Sequence, residues 1–166
     1  MKFIGGLLVL FSISLFGIFL AERKKRAANE CEAFLDLANY IKIRIEYFNM
    51  PTKLILNDYE NDYLNEIKFL EALRMRRDDD VYYNALKNTF LDFKDSLSMS
   101  DDVKETIISF SSVVGKGGAE QLPSMNHYIS ELEKLTTKQR AEAERDAKLY
   151  ASLGLAVGSA VMIMLI

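Results

Sequence analysis

Residues 125–166 read MNHYISELEKLTTKQRAEAERDAKLYASLGLAVGSAVMIMLI, and this segment decides the fold. No proline interrupts it, and its first glycine is Gly154. Its start spaces apolar residues as an amphipathic helix does, and its middle is rich in helix-forming alanine, glutamate and lysine. The last eighteen residues, 149–166, carry no charge; as a helix they extend roughly 27 Å, close to the hydrocarbon thickness of a bilayer. The segment predicts one long helix whose second part lies in a membrane.

Small residues recur along this helix at spacings of three or four and continue from its polar part into its apolar part. Gly154 and Gly158 form a GxxxG pattern, which lets a second helix backbone approach closely. Glycine and alanine are also common in membrane helices, but lipid does not explain the stripe in the polar part. We predict a packed seam within one chain, with a seam between chains of a homo-oligomer as the alternative. The seam residues are Gly17, Ala21, Ala28, Ala143, Ala147, Ala151, Gly154 and Gly158.

A second uncharged run extends from Phe3 to Ala21, and the basic cluster Arg23–Arg26 follows it. A cleaved signal peptide would carry its charges before the apolar run and a small-residue cleavage site after it, so a retained membrane helix fits better. Basic residues flank both runs on the side of 22–148, which the positive-inside rule assigns to the cytoplasm. We predict a two-pass cell-membrane protein with a transmembrane helix at 1–21, a cytoplasmic helical domain at 22–148 and a transmembrane helix at 149–166.

Between the two uncharged runs, apolar residues recur at helical spacing, and no stretch alternates convincingly with a period of two. The first helix should continue into the cytoplasm as far as Phe48, because Pro51 disfavours helical geometry in the residue before it. Further helices are predicted through 63–73, 82–97 and 103–114, the last with Ser100 as its N-cap. The final helix should begin between Ala119 and Ser124. The predicted fold class is all-α, a cytoplasmic antiparallel helical bundle carried between an N-terminal and a C-terminal transmembrane helix.

Residues suited to catalysis or to binding a cofactor or a metal are sparse. The formal net charge of −3 does not fit a nucleic-acid binder, and the single cysteine, Cys31, excludes an internal disulfide or a cysteine-built zinc site. The glycines at 115–118 lack the spacing of a phosphate-binding loop. His127, the only histidine, is interpreted as a helix-surface residue rather than a general base. No catalytic, cofactor-binding or metal-binding residue is predicted.

Two acidic segments lack the spacing of a calcium-binding loop, and solvated helix ends explain them best. The alternative is a docking surface that steers a basic partner. The candidate docking residues are Asp58, Glu60, Asp62, Glu66, Asp78, Asp79 and Asp80.

The tail from Lys148 to Gly158, with the apolar end 162–166, resembles the carboxyl-terminal signature of the stage III sporulation protein AB family. Residues 45–51 resemble the family's I-x-Y-x-x-T-P segment, although Met50 replaces the threonine. Residues 97–102 resemble its Leu-Thr-Pro-acidic helix start, and 114–121 its L-G…Q segment, without the acidic residue that follows L-G. The resemblance covers most of the chain in order, and the tail is its most specific part.

This resemblance implies a non-enzymatic membrane platform, similar to the F-type inner-membrane protein of type II secretion and type IV pilus systems. It would belong to the channel-like assembly between mother cell and forespore, in the mother-cell (outer forespore) membrane. The implied partners are the cytoplasmic secretion-type ATPase, the stage III AA protein, and other membrane components of the assembly. The residues alone indicate a generic membrane-anchored helical interaction module, and a membrane-tethered hydrolase using His127 is a further alternative.

Overall fold

The computed structural model describes residues 2–48, 55–56, 58–77, 82–114 and 120–165, and at some helical positions within these ranges only the backbone is described. Every regular element in the described residues is helical. A 3-10 turn over Lys94–Ser96 follows the fourth α-helix. The α-helices are α1 (Lys2–Phe48), α2 (Asp62–Glu66), α3 (Phe69–Arg77), α4 (Tyr82–Phe93), α5 (Asp101–Val113) and α6 (Gln121–Leu165).

The helices α1 and α6 are 47 and 45 residues long, and they form the most extensive contact between described elements. They run antiparallel, and α5 packs against α6, α4 against α5, and α3 against α4. The shorter helices therefore form a bundle around one end of the long pair. The prediction of an all-helical bundle is confirmed, and α1 extends at least as far as Phe48, the last residue described before the segment that contains Pro51.

The core of this bundle is built around three phenylalanine rings from three helices. The ring of Phe34 on α1 meets the rings of Phe69 and Phe90 edge-on, with centroid distances of 5.0 and 5.1 Å. Edge-to-face contacts of this kind add stabilisation to the burial of the rings. From α5 and α6, Val103, Phe110 and other buried side chains complete the same core. The apolar stripes of the sequence thus converge on one cluster.

One predicted helix, through 63–73, is in fact two, and the prediction was wrong at this point. The chain breaks at Lys68, whose φ of 61° lies in the left-handed region. Leu64 and Leu73 are both fully buried. At about 100° per residue, a continuous helix would place these two side chains on opposite faces. The break turns the chain, so that both leucines enter the core.

The ends of the helices are close to the predicted positions. Ser100 is the N-cap residue of α5, but its side chain makes no capping hydrogen bond. The N-cap of α2 is Asn61, whose side-chain oxygen accepts a hydrogen bond from the Leu64 amide at 3.0 Å. The helix predicted through 82–97 ends at Phe93 and continues as the 3-10 turn.

The long pair exposes large apolar side chains at the end that lies away from the bundle. On α1 these include Leu15, Phe16 and Phe19, and on α6 Leu149 and Leu153. Within the described part of the chain, no helix combines the length and the apolar character that crossing a membrane requires.

Candidate interaction surfaces

The central part of the helix pair, residues 17–32 of α1 and 139–150 of α6, is called the stem. Three polar contacts set its register. The Cys31 thiol donates to the side-chain oxygen of Gln139 at 3.1 Å. Glu32 pairs with Arg140 at 2.8 Å, and Lys24 pairs with Asp146 at 3.7 Å. Since the residue number rises on one helix as it falls on the other, one antiparallel register runs through the whole stem.

The small residues of the predicted seam lie along this register. Ala28 and Ala143 are buried, and a Cβ atom built on Gly17 would lie 3.2 Å from the backbone oxygen of Tyr150. A side chain at position 17 would therefore require the Tyr150 backbone to shift by a few tenths of an ångström. Ala21 and Ala147 are half-buried. The surroundings of the remaining three seam residues lie outside the description; these are Ala151, Gly154 and Gly158.

A groove of about 580 Å³ follows one side of the stem. Its lining comes from α1 and α6 alone, with small residues at its floor and longer side chains at its rims. The opposite side of the same helices is lined together with residues 98–102. The groove therefore lies on the side of the stem away from that segment. Its lining residues are Gly17, Ile18, Ala21, Glu22, Lys25, Ala28, Asn29, Glu32, Arg140, Ala143, Glu144, Ala147 and Tyr150.

Glu30 is a buried carboxylate, 1% exposed, at the point where the stem meets the bundle. One of its oxygens accepts hydrogen bonds from the backbone amides of Ser98 and Met99, at 2.6 and 2.8 Å. The other accepts from the Tyr63 hydroxyl at 2.9 Å. Burial and this hydrogen bond raise the pKa of Tyr63. We call this arrangement the Glu30 anchor, because it ties α1 to α2 and to the segment before α5.

Sequence reasoning missed the Glu30 anchor. Glu30 follows a basic cluster and looks like one more solvated charge on a long helix. The signal that could have found it is its position three and four residues before the buried Ala33 and Phe34, on the apolar face of α1.

Cys31, next to the anchor, is fully buried. Burial raises the pKa of its thiol to about 12, and the neighbouring Glu30 carboxylate contributes to the rise. Because the thiolate is the reactive form of cysteine, Cys31 is a poor target for alkylation at neutral pH. The pKa of the buried Tyr59 is also raised to about 12. Burial is the main cause, and the nearby charge of Asp36 adds to it.

The acidic surface consists of Asp58, Glu60, Asp62 and Glu66, and all four side chains are exposed. Glu60 is engaged within the chain: it accepts hydrogen bonds from Asn65 at 2.6 Å and from Arg74 at 2.9 Å. These two contacts lower its pKa.

The other three acids of this surface form no ion pair with described residues. They are therefore the members of the candidate docking set that are available to a partner. The remaining candidates, 78–80, lie outside the described residues.

His127 lies on the outer face of α6, with its side chain 73% exposed. Its Nε2 atom is 4.0 Å from Glu131, and its ring stacks edge-on against Tyr128. Among the residues that the structure describes, no group of three or more histidine, cysteine, aspartate or glutamate side chains is placed to hold a metal ion.

In a comparison with protein families, the family model described as Stage III sporulation protein AB (spore_III_AB) matches residues 2–166. The chain belongs to the stage III sporulation protein AB family. Family membership implies a role in sporulation, and the match includes both helices of the stem and the whole bundle. Comparisons with curated proteins and with solved structures give no significant match.

Proposed function

We propose that this protein is a non-enzymatic membrane platform of the sporulation channel between mother cell and forespore. The observation that carries the proposal is the stem. Two long helices, fixed in one register by Glu32–Arg140 and Lys24–Asp146, hold a helical bundle at one end and expose apolar side chains at the other. Membership of the stage III sporulation protein AB family supports the assignment of this architecture to sporulation.

The membrane part of the proposal rests on the apolar end of the α1–α6 pair, beyond the stem. The runs 3–21 and 149–166 carry no charge, and their described side chains include exposed Phe16, Phe19 and Leu153. Large apolar patches exposed to water are unfavourable, and a bilayer would cover them. The basic residues that follow the first run and precede the second orient the bundle toward the cytoplasm. The two runs would then form the two transmembrane helices of a mother-cell membrane protein.

The orientation is tested with a cysteine that is exposed. Cys31 itself is unsuitable, because it is buried and its thiol pKa is raised to about 12. In a Cys31→Ser background, a cysteine at the exposed Ser130 of α6 should react with a membrane-impermeant maleimide only after the cells are opened. Labelling of intact cells would reverse the orientation, and full extraction of the protein into salt solution would refute the membrane insertion.

The bundle would act as a docking site for a cytoplasmic secretion-type ATPase, the stage III AA protein. A helical stem transmits a push or a rotation better than a flexible linker does. The acidic surface offers Asp58, Asp62 and Glu66 as exposed charges without an ion pair in the described chain. Charges at the rim of an interface raise the association rate of an oppositely charged partner.

The docking step is tested by charge reversal. A triple variant with lysine at Asp58, Asp62 and Glu66 should lose capture of the purified ATPase from detergent solution, most strongly at low salt, since exposed charges are screened by ions. The matched control places lysine at three exposed glutamates elsewhere on the bundle, Glu105, Glu131 and Glu133, and should retain capture. Equal capture by both triple variants would exclude this surface. Failure of the unmodified full-length protein to bind the ATPase would refute the platform itself.

The second candidate function, a generic membrane-anchored interaction module, keeps the same architecture with a different partner. Affinity capture from sporulating cells separates the two, because the platform should retain the ATPase together with membrane components of the same assembly.

A further inference from the structure

The groove along the stem is an apolar surface that its own chain leaves open. It extends over about fifteen residues of α1, from Gly17 to Glu32, or about 23 Å. The small residues at its floor include the buried Ala28 and Ala143, and small residues let another helix approach closely.

The rims of the groove carry opposite charges at equal heights. The contacts Glu32–Arg140 and Lys24–Asp146 define the register of the two helices. In this register Lys25 on the α1 rim lies level with Glu144 on the α6 rim. Lys25 has no ion-pair partner in the described part of the chain, whereas Glu144 shares Arg140, at 3.5 Å, with Glu32.

The character of the groove also changes along its length. The end near Gly17 is lined by Ile18 and Tyr150, and the other end by Glu32 and Arg140. A ligand that matches the groove must therefore be apolar at one end and charged at the other, with both signs of charge at the charged end.

We propose that a second copy of this chain occupies the groove, with a two-fold axis that runs along the stem. This axis sets α1 of each copy against α6 of the other at the same height. Lys25 then faces Glu144 of the second copy, Glu32 faces Arg140 of the second copy, and the apolar ends meet each other. A two-fold axis across the stem would instead place the apolar end of one copy on the charged end of the other. Charge complementarity thus selects the parallel arrangement.

The resulting interface is a four-helix stem in which each α1 packs between two α6 helices. Small residues at the floor allow the rims of the two copies to interdigitate, as in antiparallel helix packing. The inference goes beyond the proposed platform function, because the dimer forms with or without the ATPase.

A mixed-chain cross-link tests the arrangement directly. Two versions of the full-length protein, both with Cys31→Ser, are co-expressed with different tags: one carries Lys25→Cys and the other Glu144→Cys. Each mixed dimer keeps one native Lys25–Glu144 contact and places the two cysteines at the other. Mild oxidation of membranes should give a disulfide-linked dimer that carries both tags, and neither version alone should give one.

The matched control replaces Glu144→Cys by Ser130→Cys, an exposed α6 position outside the groove, and should give no mixed dimer. Reversing the charges of this contact gives an independent test, in which the dimer dissociation constant is measured in detergent solution. Lys25→Glu should raise the dimer dissociation constant about tenfold, since it opposes like charges at two symmetric contacts. Adding Glu144→Lys should restore it.

Three results would overturn the proposal. The first is a monomer at every protein concentration in light scattering, with no mixed cross-link in membranes. The second is a cross-link of the groove cysteines to a different protein only. The third is a monomer that retains lipid in native mass spectrometry and loses it on substituting Ala21→Leu, which would assign the groove to an acyl chain. Each result leaves the ATPase capture unaffected, so this inference and the platform function can fail separately.

Discussion

Removing the Glu30 carboxylate should destabilise the junction of stem and bundle more than any other single change of charge. In Glu30→Ala, the Ser98 and Met99 amides and the Tyr63 hydroxyl lose their acceptor. A buried donor left without a partner costs about 1–3 kcal/mol, and Glu30→Ala leaves three such donors. We therefore expect a loss of about 3–5 kcal/mol, a large part of the 5–15 kcal/mol typical of a folded domain.

Two further variants separate the contributions within the Glu30 anchor. Glu30→Gln keeps a side-chain oxygen for the two backbone amides but offers an amide group to Tyr63, and should cost about 1–2 kcal/mol. Tyr63→Phe removes a single hydrogen bond and should cost about 1 kcal/mol.

The assay is urea unfolding of the full-length protein in mild detergent, followed by helical circular dichroism. The matched control is Glu32→Ala, since Glu32 is two residues away on the same helix but its side chain is 43% exposed and pairs with Arg140 at the surface. A surface ion pair contributes about 0–1 kcal/mol. Equal midpoints for Glu30→Ala and Glu32→Ala would refute the reasoning, because they would show that the hydrogen bonds to Glu30 contribute no more than a solvated pair.

The other predictions concern packing and ionisation. Gly17→Val should cost about 1–3 kcal/mol in urea unfolding, because its Cβ would press on the Tyr150 backbone oxygen, and Gly17→Ala should cost less. Phe34→Ala should cost about 3–5 kcal/mol, since its ring contacts two others. The free energy of unfolding should fall as the pH rises from about 9 to about 12. The pKa of Cys31 rises from 9.0 in the unfolded chain to about 12 in the folded chain, and that of Tyr59 from 10.0 to about 12. Because the unfolded chain loses these protons first, a rise in pH favours unfolding. The Cys31→Ser, Tyr59→Phe double variant should show a shallower fall.

The sequence predicts the helices well where an apolar face repeats over many turns. The continuity of α1 as far as Phe48 follows from uninterrupted periodicity, and the start of α6 at Gln121 follows from the tolerance of Pro123 in a first helical turn. The break at Lys68 does not follow, because no glycine or proline lies near it in the sequence and only the core reveals that Leu64 and Leu73 are both buried. Tertiary packing outweighs local propensity there.

The sequence likewise predicts some features of the interaction surfaces and not others. Small residues at helical spacing predict a helix contact, and Ala28 on α1 and Ala143 on α6 are both buried. The sequence does not show that Glu60 is engaged by Arg74, because Glu60 precedes α2 and its partner lies fourteen residues away on α3. The Glu30 anchor depends on a contact 68 residues away in sequence, between Glu30 and the Ser98 amide, beyond the reach of any local pattern.

The pairing of α1 with α6 constrains the order in which the chain can fold during its synthesis. Cys31 and Glu32 are joined to Gln139 and Arg140, 108 residues later. At a synthesis rate of about 5–20 residues per second, the buried face of α1 waits roughly 5–20 s for its partner helix. During that interval a chaperone or the translocation machinery must shield the apolar side chains of α1 from water. A ribosome stalled before residue 139 would therefore carry a chain that cannot form the α1–α6 pair. Such a chain should be degraded rather than assembled.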